Sequence, residues 1–153
     1  MAEIKQYIVV RRDAQTKTGE PVSPAKLAVM VAHASMAFLT NRIKGNVFRR
    51  VYEHKEGSWQ VMFLLDDDSM DWINGIFAKV LLEAKTLHSL ERVVEEAKAM
   101  GLEEGVDFVR IEDNCLTELV PDEGSTRCFI AVGFKPMNAE KIKPIVKRLQ
   151  LYK

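Results

Sequence analysis

The fold depends most on one stretch of the sequence, SPAKLAVMVAHAS, which covers residues 23–35. Ser23 supplies a hydroxyl that can cap the start of a helix, and Pro24 suits the first helical position. The apolar residues that follow predict a helix that continues to about Thr40. The same run carries a lysine and a histidine, which packing alone does not require.

Lys26, Met30 and His33 share one side of this predicted helix because they are spaced four and three residues apart. A functional site is one explanation for the two polar residues. The alternative is structural, since a lysine stem can cover apolar surface while its ammonium reaches water, and a histidine at the edge of a core can bond to the backbone. The spacing alone leaves both explanations open.

Strands and helices alternate along the rest of the chain. Short apolar, β-branched runs predict four strands, at residues 6–12, 78–85, 106–113 and 128–134. Caps and helical spacing predict further helices within residues 66–77, with Gly75 as its stop, at 89–101 and at about 138–150, the last with Pro144 causing a kink or a late start. This order predicts an α/β fold, a three-layer α/β/α sandwich with a small β-sheet of about four strands. The link from Asp113 to Arg127 contains no helix, so we expect a mixed sheet.

The length and composition narrow the class of protein. A chain of 153 residues fits a single domain, residues 1–153, with a core of its own. Cys115 and Cys128 are the only cysteines and have no partners at zinc-finger spacing, so neither a disulfide framework nor a metal site is indicated. The first residues lack a signal-peptide pattern, and no apolar run approaches the about 20 residues of a membrane span. We expect a cytoplasmic protein with no membrane association.

The net charge is zero, but the charges are segregated along the chain. Residues 1–50, 51–124 and 125–153 carry net charges of +6, −12 and +6. If the fold brings the two basic ends together, a polyanion could bind there through phosphate contacts, although segregated charges also serve solubility. The basic residues in question are Arg11, Arg12, Lys17, Arg42, Lys44, Arg49, Arg50, Lys141, Lys143, Lys147 and Arg148.

A second polar cluster follows the third predicted strand, in the sequence EDNCLTELVPDEGST of residues 112–126. Carboxylates, an amide, a thiol and a threonine fall just beyond the carboxyl end of a strand, where α/β sheets commonly place their sites. The alternative is a structural turn in which Asp113 and Asn114 bond to nearby backbone.

Together these stretches resemble the type 2 peptidyl-tRNA hydrolases. The matching motifs stand in the family's order and are VVRRD (residues 9–13), AKLAVMVAHA (25–34), EDNCLTE (112–118), PDEGST (121–126) and VGFKP (132–136). The resemblance implies a small α/β/α domain, a homodimer, that cleaves the ester bond between a peptide and the terminal ribose of tRNA without a cofactor. It places the catalytic residues at Lys26, Asp113 and Thr117.

The substrate contacts are expected from the residues around these motifs. We take them to be Arg11, Arg12, Met30, His33, Asn114, Glu118, Thr126 and Cys128. Several of these depart from the family pattern, with Met30 and Glu118 in place of glutamines and Cys128 in place of a threonine. The departures leave two alternatives, which are a non-catalytic RNA- or protein-binding protein of the same fold and a hydrolase of a small ester or amide.

The residue types fit ester hydrolysis. A water molecule must lose a proton while negative charge develops on the carbonyl oxygen. Asp113 suits the first task and Lys26 the second, while Thr117 could bond to the water or to the oxyanion. A Ser-His-Asp hydrolase is disfavoured because the sequence has no Gly-x-Ser-x-Gly turn. A cysteine nucleophile at Cys115 or Cys128 stays open, without an assigned base.

Overall fold

The computed structural model of the protein describes residues 2–44, 48–51 and 58–153, with only the backbone of 48–51. The elements in chain order are β1 (Ile4–Arg11), α1 (Pro24–Lys44), β2 (Phe48–Val51), β3 (Ser58–Val61), α2 (Asp67–Asn74), β4 (Lys79–Ala84), α3 (Leu87–Ala99), β5 (Phe108–Asp113), β6 (Cys128–Phe134), β7 (Met137–Asn138), α4 (Ala139–Val146) and β8 (Gln150–Leu151). None of the helices in these ranges combines the length and apolar character needed to cross a membrane.

The main sheet is mixed, as predicted. Its strand order is β5-β6-β1-β4-β8, with β7 paired to one end of β1. β1 and β4 are parallel, whereas β6 is antiparallel to both β1 and β5. The four predicted strands form its centre, and the two-residue strands β7 and β8 raise the number from about four to six. β2 and β3 form a separate antiparallel pair.

Helices cover both faces of this sheet and complete a three-layer α/β/α sandwich. On one face, Met30 and Ala34 of α1 pack against Ile8 and Val10 of β1. On the other face, the apolar sides of α3 and α4 pack against the alternate residues of the same strands, which include Val9. The alternation follows from the period of two in a strand, which sends neighbouring side chains to opposite faces.

α1 lies unusually close to β6. A Cβ atom added to Gly133 of β6 would stand 2.0 Å from the carbonyl oxygen of Ala34, so only glycine fits there. Buried Gln6 of β1 also bonds to this helix, because its amide donates to the carbonyl of Ser35 at 2.7 Å and accepts from the Ser35 hydroxyl at 2.8 Å. These contacts fix the position of α1 on the sheet.

The ends of two helices differ from their predicted positions. α1 continues to Lys44, one turn beyond Thr40, with Arg42 and Lys44 in its last turn, where cations interact favourably with the helix dipole. The prediction of a final helix to about residue 150 was wrong, since α4 ends at Val146. Pro144 lies within the helix and cannot donate to the Glu140 carbonyl, and the helix ends two residues later.

The cations of α4 do not share a face of the sheet with those of α1. α1 lies on one side of the sheet and α4 on the other, so the cations of α4 point away from those near α1. Lys143 pairs with Glu140 of its own helix, and Arg148 bonds to Glu96 of α3. The side chains of Arg49 and Arg50 lie outside the described part of the chain. Any polyanion site must therefore use the cations of one face.

Lys135 forms a partly buried ion-pair cluster at the start of α2. Its ammonium lies 2.5 Å from Asp66 and 2.7 Å from Asp107. Asp66 also accepts the Ser69 N–H as the N-cap of α2. Burial opposes ionisation of Asp66, but Lys135 and Ser69 outweigh it and lower its pKa to about 2. The pKa of Asp107 is lowered in the same way, since its bonds to the Glu103 N–H and Lys135 outweigh its burial.

These lowered pKa values predict a loss of stability in acid. A carboxylate with a depressed pKa stabilises the fold above its unfolded pKa, and this contribution disappears as the pH falls through the folded pKa. For Asp66 the window runs from its ordinary 3.8 down to about 2. We expect Asp66→Asn to lower the melting temperature at pH 7 by about 3 °C, for a contribution of about 1 kcal/mol from a partly exposed group. The difference from wild type should vanish near pH 2. A constant difference across this window in thermal unfolding would contradict the assignment.

Candidate active site

Lys26 and Asp113 meet at the carboxyl end of β5. Lys26 lies in the first turn of α1, and Asp113 is the last residue of β5. Their side chains pair at 2.5 Å between Nζ and Oδ2, with only 16% and 8% of the two side chains exposed. The Lys26 ammonium also donates to the Thr117 hydroxyl at 3.3 Å. The structure thus brings together the three residues that the family resemblance marked as catalytic.

A tight turn after β5 holds the Asp113 carboxylate in place. Its Oδ1 atom accepts the Cys115 N–H at 2.8 Å, while Oδ2 faces Lys26. Cys115 itself has a left-handed backbone with φ of 59°, a conformation found in tight turns. Asp113 therefore does bond to the backbone, as the structural alternative held, but that bond uses one oxygen and leaves the other directed at Lys26.

An open groove of about 470 Å³ surrounds this pair. One wall is α1, and the other is β5 together with the loop that follows it. Of the predicted residues, His33, Asn114 and Thr117 line the groove and are exposed, and Met30 reaches its floor from the core. The groove gives a substrate access to the two charged groups, of which only a small part faces solvent.

Other predicted substrate-binding residues lie outside the groove lining. Arg11 is 8% exposed and pairs with Asp13 at 2.5 Å and Asp122 at 2.6 Å, so its guanidinium serves the fold. Arg12 directly follows β1, where it pairs with Glu83 of β4 and covers the ring of Tyr152.

Three further predicted residues come from the connection between β5 and β6 and from β6 itself. Thr126 is exposed on the connection, away from the groove lining. Cys128 is fully buried under it. Glu118 accepts hydrogen bonds from Ser23 at the start of α1. Direct substrate contact by these residues stays a prediction, and their positions in this structure favour supporting roles.

The two thiols are poor candidates for a nucleophile. Burial, reinforced by the nearby Asp122, raises the pKa of Cys128 to about 12. Burial and Asp113 also raise the pKa of Cys115. A cysteine attacks as its thiolate, and both thiols are held protonated at neutral pH. Neither thiol is therefore suited to act as a nucleophile at neutral pH.

Sequence reasoning missed two cations, Arg110 and Arg127, and one loop contact. Both arginines line the groove together with Lys44, which the charge pattern had included. The alternation along β5 could have indicated Arg110, because its neighbours Val109 and Ile111 are more buried. The pairing of the long loop after β1 with the loop after β5, through a bridge between Thr16 and Leu119, has no local sequence signal.

The fold and the site together define a class of protein. It is an α/β/α sandwich with a mixed sheet, in which a lysine–aspartate pair and a threonine face an open groove beside the first helix. A sequence model of the peptidyl-tRNA hydrolase PTH2 family matches residues 4–152, nearly the whole chain. The chain belongs to the peptidyl-tRNA hydrolase PTH2 family.

The fold also occurs in a solved structure with little sequence similarity. A protein of unknown function from Agrobacterium tumefaciens strain C58 superposes with a TM-score of 0.52, at 10% sequence identity and with 100% of both chains covered. At this identity the likeness concerns the fold alone.

Proposed function

We propose that this protein hydrolyses the ester bond between a peptide, or an N-blocked amino acid, and tRNA, and so releases free tRNA. The observation that carries the proposal is the contact of Lys26 with both Asp113 and Thr117 at the mouth of a groove lined with cations. Membership of the peptidyl-tRNA hydrolase family supports the same substrate class.

Asp113 acts as the general base in the proposed reaction. Its carboxylate accepts a proton from a water molecule in the groove, and the water oxygen attacks the ester carbonyl carbon. The tetrahedral intermediate then loses the ribose oxygen, which takes the proton from Asp113. The products are a peptide with a free carboxylate and a tRNA with a free terminal hydroxyl, so no cofactor is needed.

Lys26 stabilises the negative charge on the carbonyl oxygen. An ammonium has three donors, and its bonds to Asp113 and Thr117 account for two of them. The third can reach an oxyanion in the groove, where partial burial strengthens the interaction. Thr117 has a hydroxyl that accepts from Lys26 and can donate its own proton to the substrate or to the attacking water.

The departures from the family pattern do not remove these reacting groups. Met30 packs in the core, Cys128 is buried, and Glu118 bonds to Ser23, whereas Lys26 and Asp113 are both present and paired. This favours a catalytic protein over a non-catalytic one of the same fold. Translation supplies peptidyl-tRNA in the cytoplasm, which is the location we propose, and the family resemblance supports a homodimer.

A direct assay tests the proposal. Purified protein is incubated with N-acetylated aminoacyl-tRNA, and the release of deacylated tRNA is measured beside the hydrolysis of a small activated ester. We expect turnover of the tRNA ester. Binding of the tRNA without release would favour a non-catalytic protein of the same fold. Hydrolysis of the small ester alone would favour a hydrolase of small esters or amides.

The cations of the groove are expected to contact tRNA phosphates. Lys44→Glu combined with Arg127→Glu should raise the KM for the tRNA ester by about tenfold and leave an acyl-adenosine substrate unaffected, because that fragment lacks the phosphates. The logarithm of the wild-type affinity for tRNA should fall linearly with the logarithm of the salt concentration, with a slope of about 0.7 to 0.9 per phosphate neutralised. Lys141→Glu, an exposed residue of α4 on the opposite face, is the matched control. Equal losses on both substrates would contradict a phosphate contact.

A further inference from the structure

Glu118 joins the loop after β5 to the start of α1. Its Oε1 atom accepts the hydroxyl proton of Ser23 at 2.8 Å and the Ser23 N–H at 3.3 Å. Ser23 and Glu118 are 95 residues apart in sequence. The contact also places a carboxylate at the N-terminus of a helix, where the helix dipole favours negative charge. We call these two residues the Ser23–Glu118 clamp.

The clamp fixes the direction of the Ser23 hydroxyl. A hydroxyl can donate one hydrogen bond, and Ser23 donates it to Glu118. The oxygen lone pairs are then free to accept the backbone N–H of Lys26, which lies 3.2 Å away. Glu118 therefore orients the group that caps the first turn of α1, and this turn carries Lys26.

Each member of the clamp stands next to a catalytic group. Glu118 directly follows Thr117, and Ser23 caps the backbone of Lys26. The clamp links the same two segments as the contact between the catalytic side chains, in which Lys26 Nζ and Thr117 Oγ1 lie 3.3 Å apart. The backbone of Glu118 is held as well, because its carbonyl accepts the Lys17 N–H at 2.8 Å.

We propose that Ser23 and Glu118 are positioning residues that set the distance between Lys26 and Thr117. The inference rests on the proposed function, because it assigns the clamp a role in that reaction. The inference gives Glu118 a role different from the substrate contact that the sequence predicted. Its Oε1 atom already accepts two hydrogen bonds from Ser23, and Glu118 is not among the residues lining the groove.

Kinetics of single and double variants test the clamp. Glu118→Ala and Ser23→Ala should each lower kcat for N-acetylated aminoacyl-tRNA by about tenfold, with KM changed less than about twofold, because small displacements of reacting groups slow the chemical step. The double variant should lose no more than the worse single variant, since both changes break one contact. Glu118→Gln keeps an oxygen that accepts the Ser23 proton and should restore most of the kcat. Glu123→Ala, an exposed glutamate of the same connection, is the matched control.

The outcomes distinguish a failure of the positioning role of the clamp from a failure of the proposed function. An inactive wild type would overturn the proposed function and with it the catalytic role of the clamp. An active wild type with a higher KM for Glu118→Ala and normal kinetics for Ser23→Ala would overturn the clamp alone and make Glu118 a substrate contact. Additive losses in the double variant, or a Glu118→Gln protein as slow as Glu118→Ala, would also overturn it.

Discussion

Lys26→Met and Asp113→Asn are each expected to lower the release of tRNA from N-acetylated aminoacyl-tRNA by a factor of about 100 or more. A well-placed general base or oxyanion donor contributes about this much. Both replacements keep the approximate shape of the side chain and remove its charge. In Asp113→Asn the new amide would still offer an oxygen to the Cys115 N–H, so the turn after β5 should survive. Single-turnover kinetics with saturating enzyme measure the chemical step directly.

Stability measurements separate a chemical defect from a folding defect. Each single variant leaves one charge of the pair without its partner in a site that is largely buried, and this alone can destabilise the protein. The double variant Lys26→Met/Asp113→Asn removes both charges, so its melting temperature should recover toward that of the wild type while its activity stays low. A single variant with near-native turnover would show that its residue has no part in the reaction.

Gly133→Ala is expected to cause the largest loss of stability. The new Cβ atom would lie 2.0 Å from the carbonyl oxygen of Ala34, and backbone at that position cannot yield without moving α1 away from the sheet. We expect a loss of about 3 kcal/mol in the free energy of unfolding, at the upper end for overpacking in a core. Denaturant unfolding monitored by tryptophan fluorescence measures this loss.

The same substitution should also slow hydrolysis. Lys26 and Ala34 belong to one helix, so a shift of α1 moves the Lys26 ammonium relative to Asp113. Gly124→Ala is the matched control, since no atom lies within 4 Å of its added Cβ and its φ of 73° costs only about 1 kcal/mol of backbone strain. If the two alanine variants lost equal stability, the close approach of α1 to β6 would not be the cause.

The sequence indicated the catalytic residues through local patterns and a family resemblance. Lys26 sits within a helix whose start is marked by Ser23 and Pro24, and Asp113 ends a strand whose apolar alternation is clear. Each pattern was weak by itself, because a lysine on a helix and an aspartate in a turn have ordinary structural explanations. Their combination in the family's order favoured a shared site, and the structure places Lys26 and Asp113 in contact.

The roles of the surrounding residues were harder to predict from sequence. Arg11 stands in a matching motif and Cys128 takes the place of a threonine of the family pattern, yet the structure buries both, because the loop after β5 folds over the end of β1. Residue type gives no direct measure of whether a side chain faces a groove or the interior. Conversely, Arg127 lines the groove although no motif singled it out.

The sequence by itself determined where the four main strands and the helices between them fall along the chain, because periodicity, caps and strand propensity act over a few neighbouring residues. The tertiary structure decided which face each basic end occupies, why Gly133 must lack a side chain, and which residue Glu118 binds. Each of these depends on pairs of segments far apart in the chain, whose distance is set by the packing of the whole sheet. Patterns among neighbouring residues therefore cannot predict that distance.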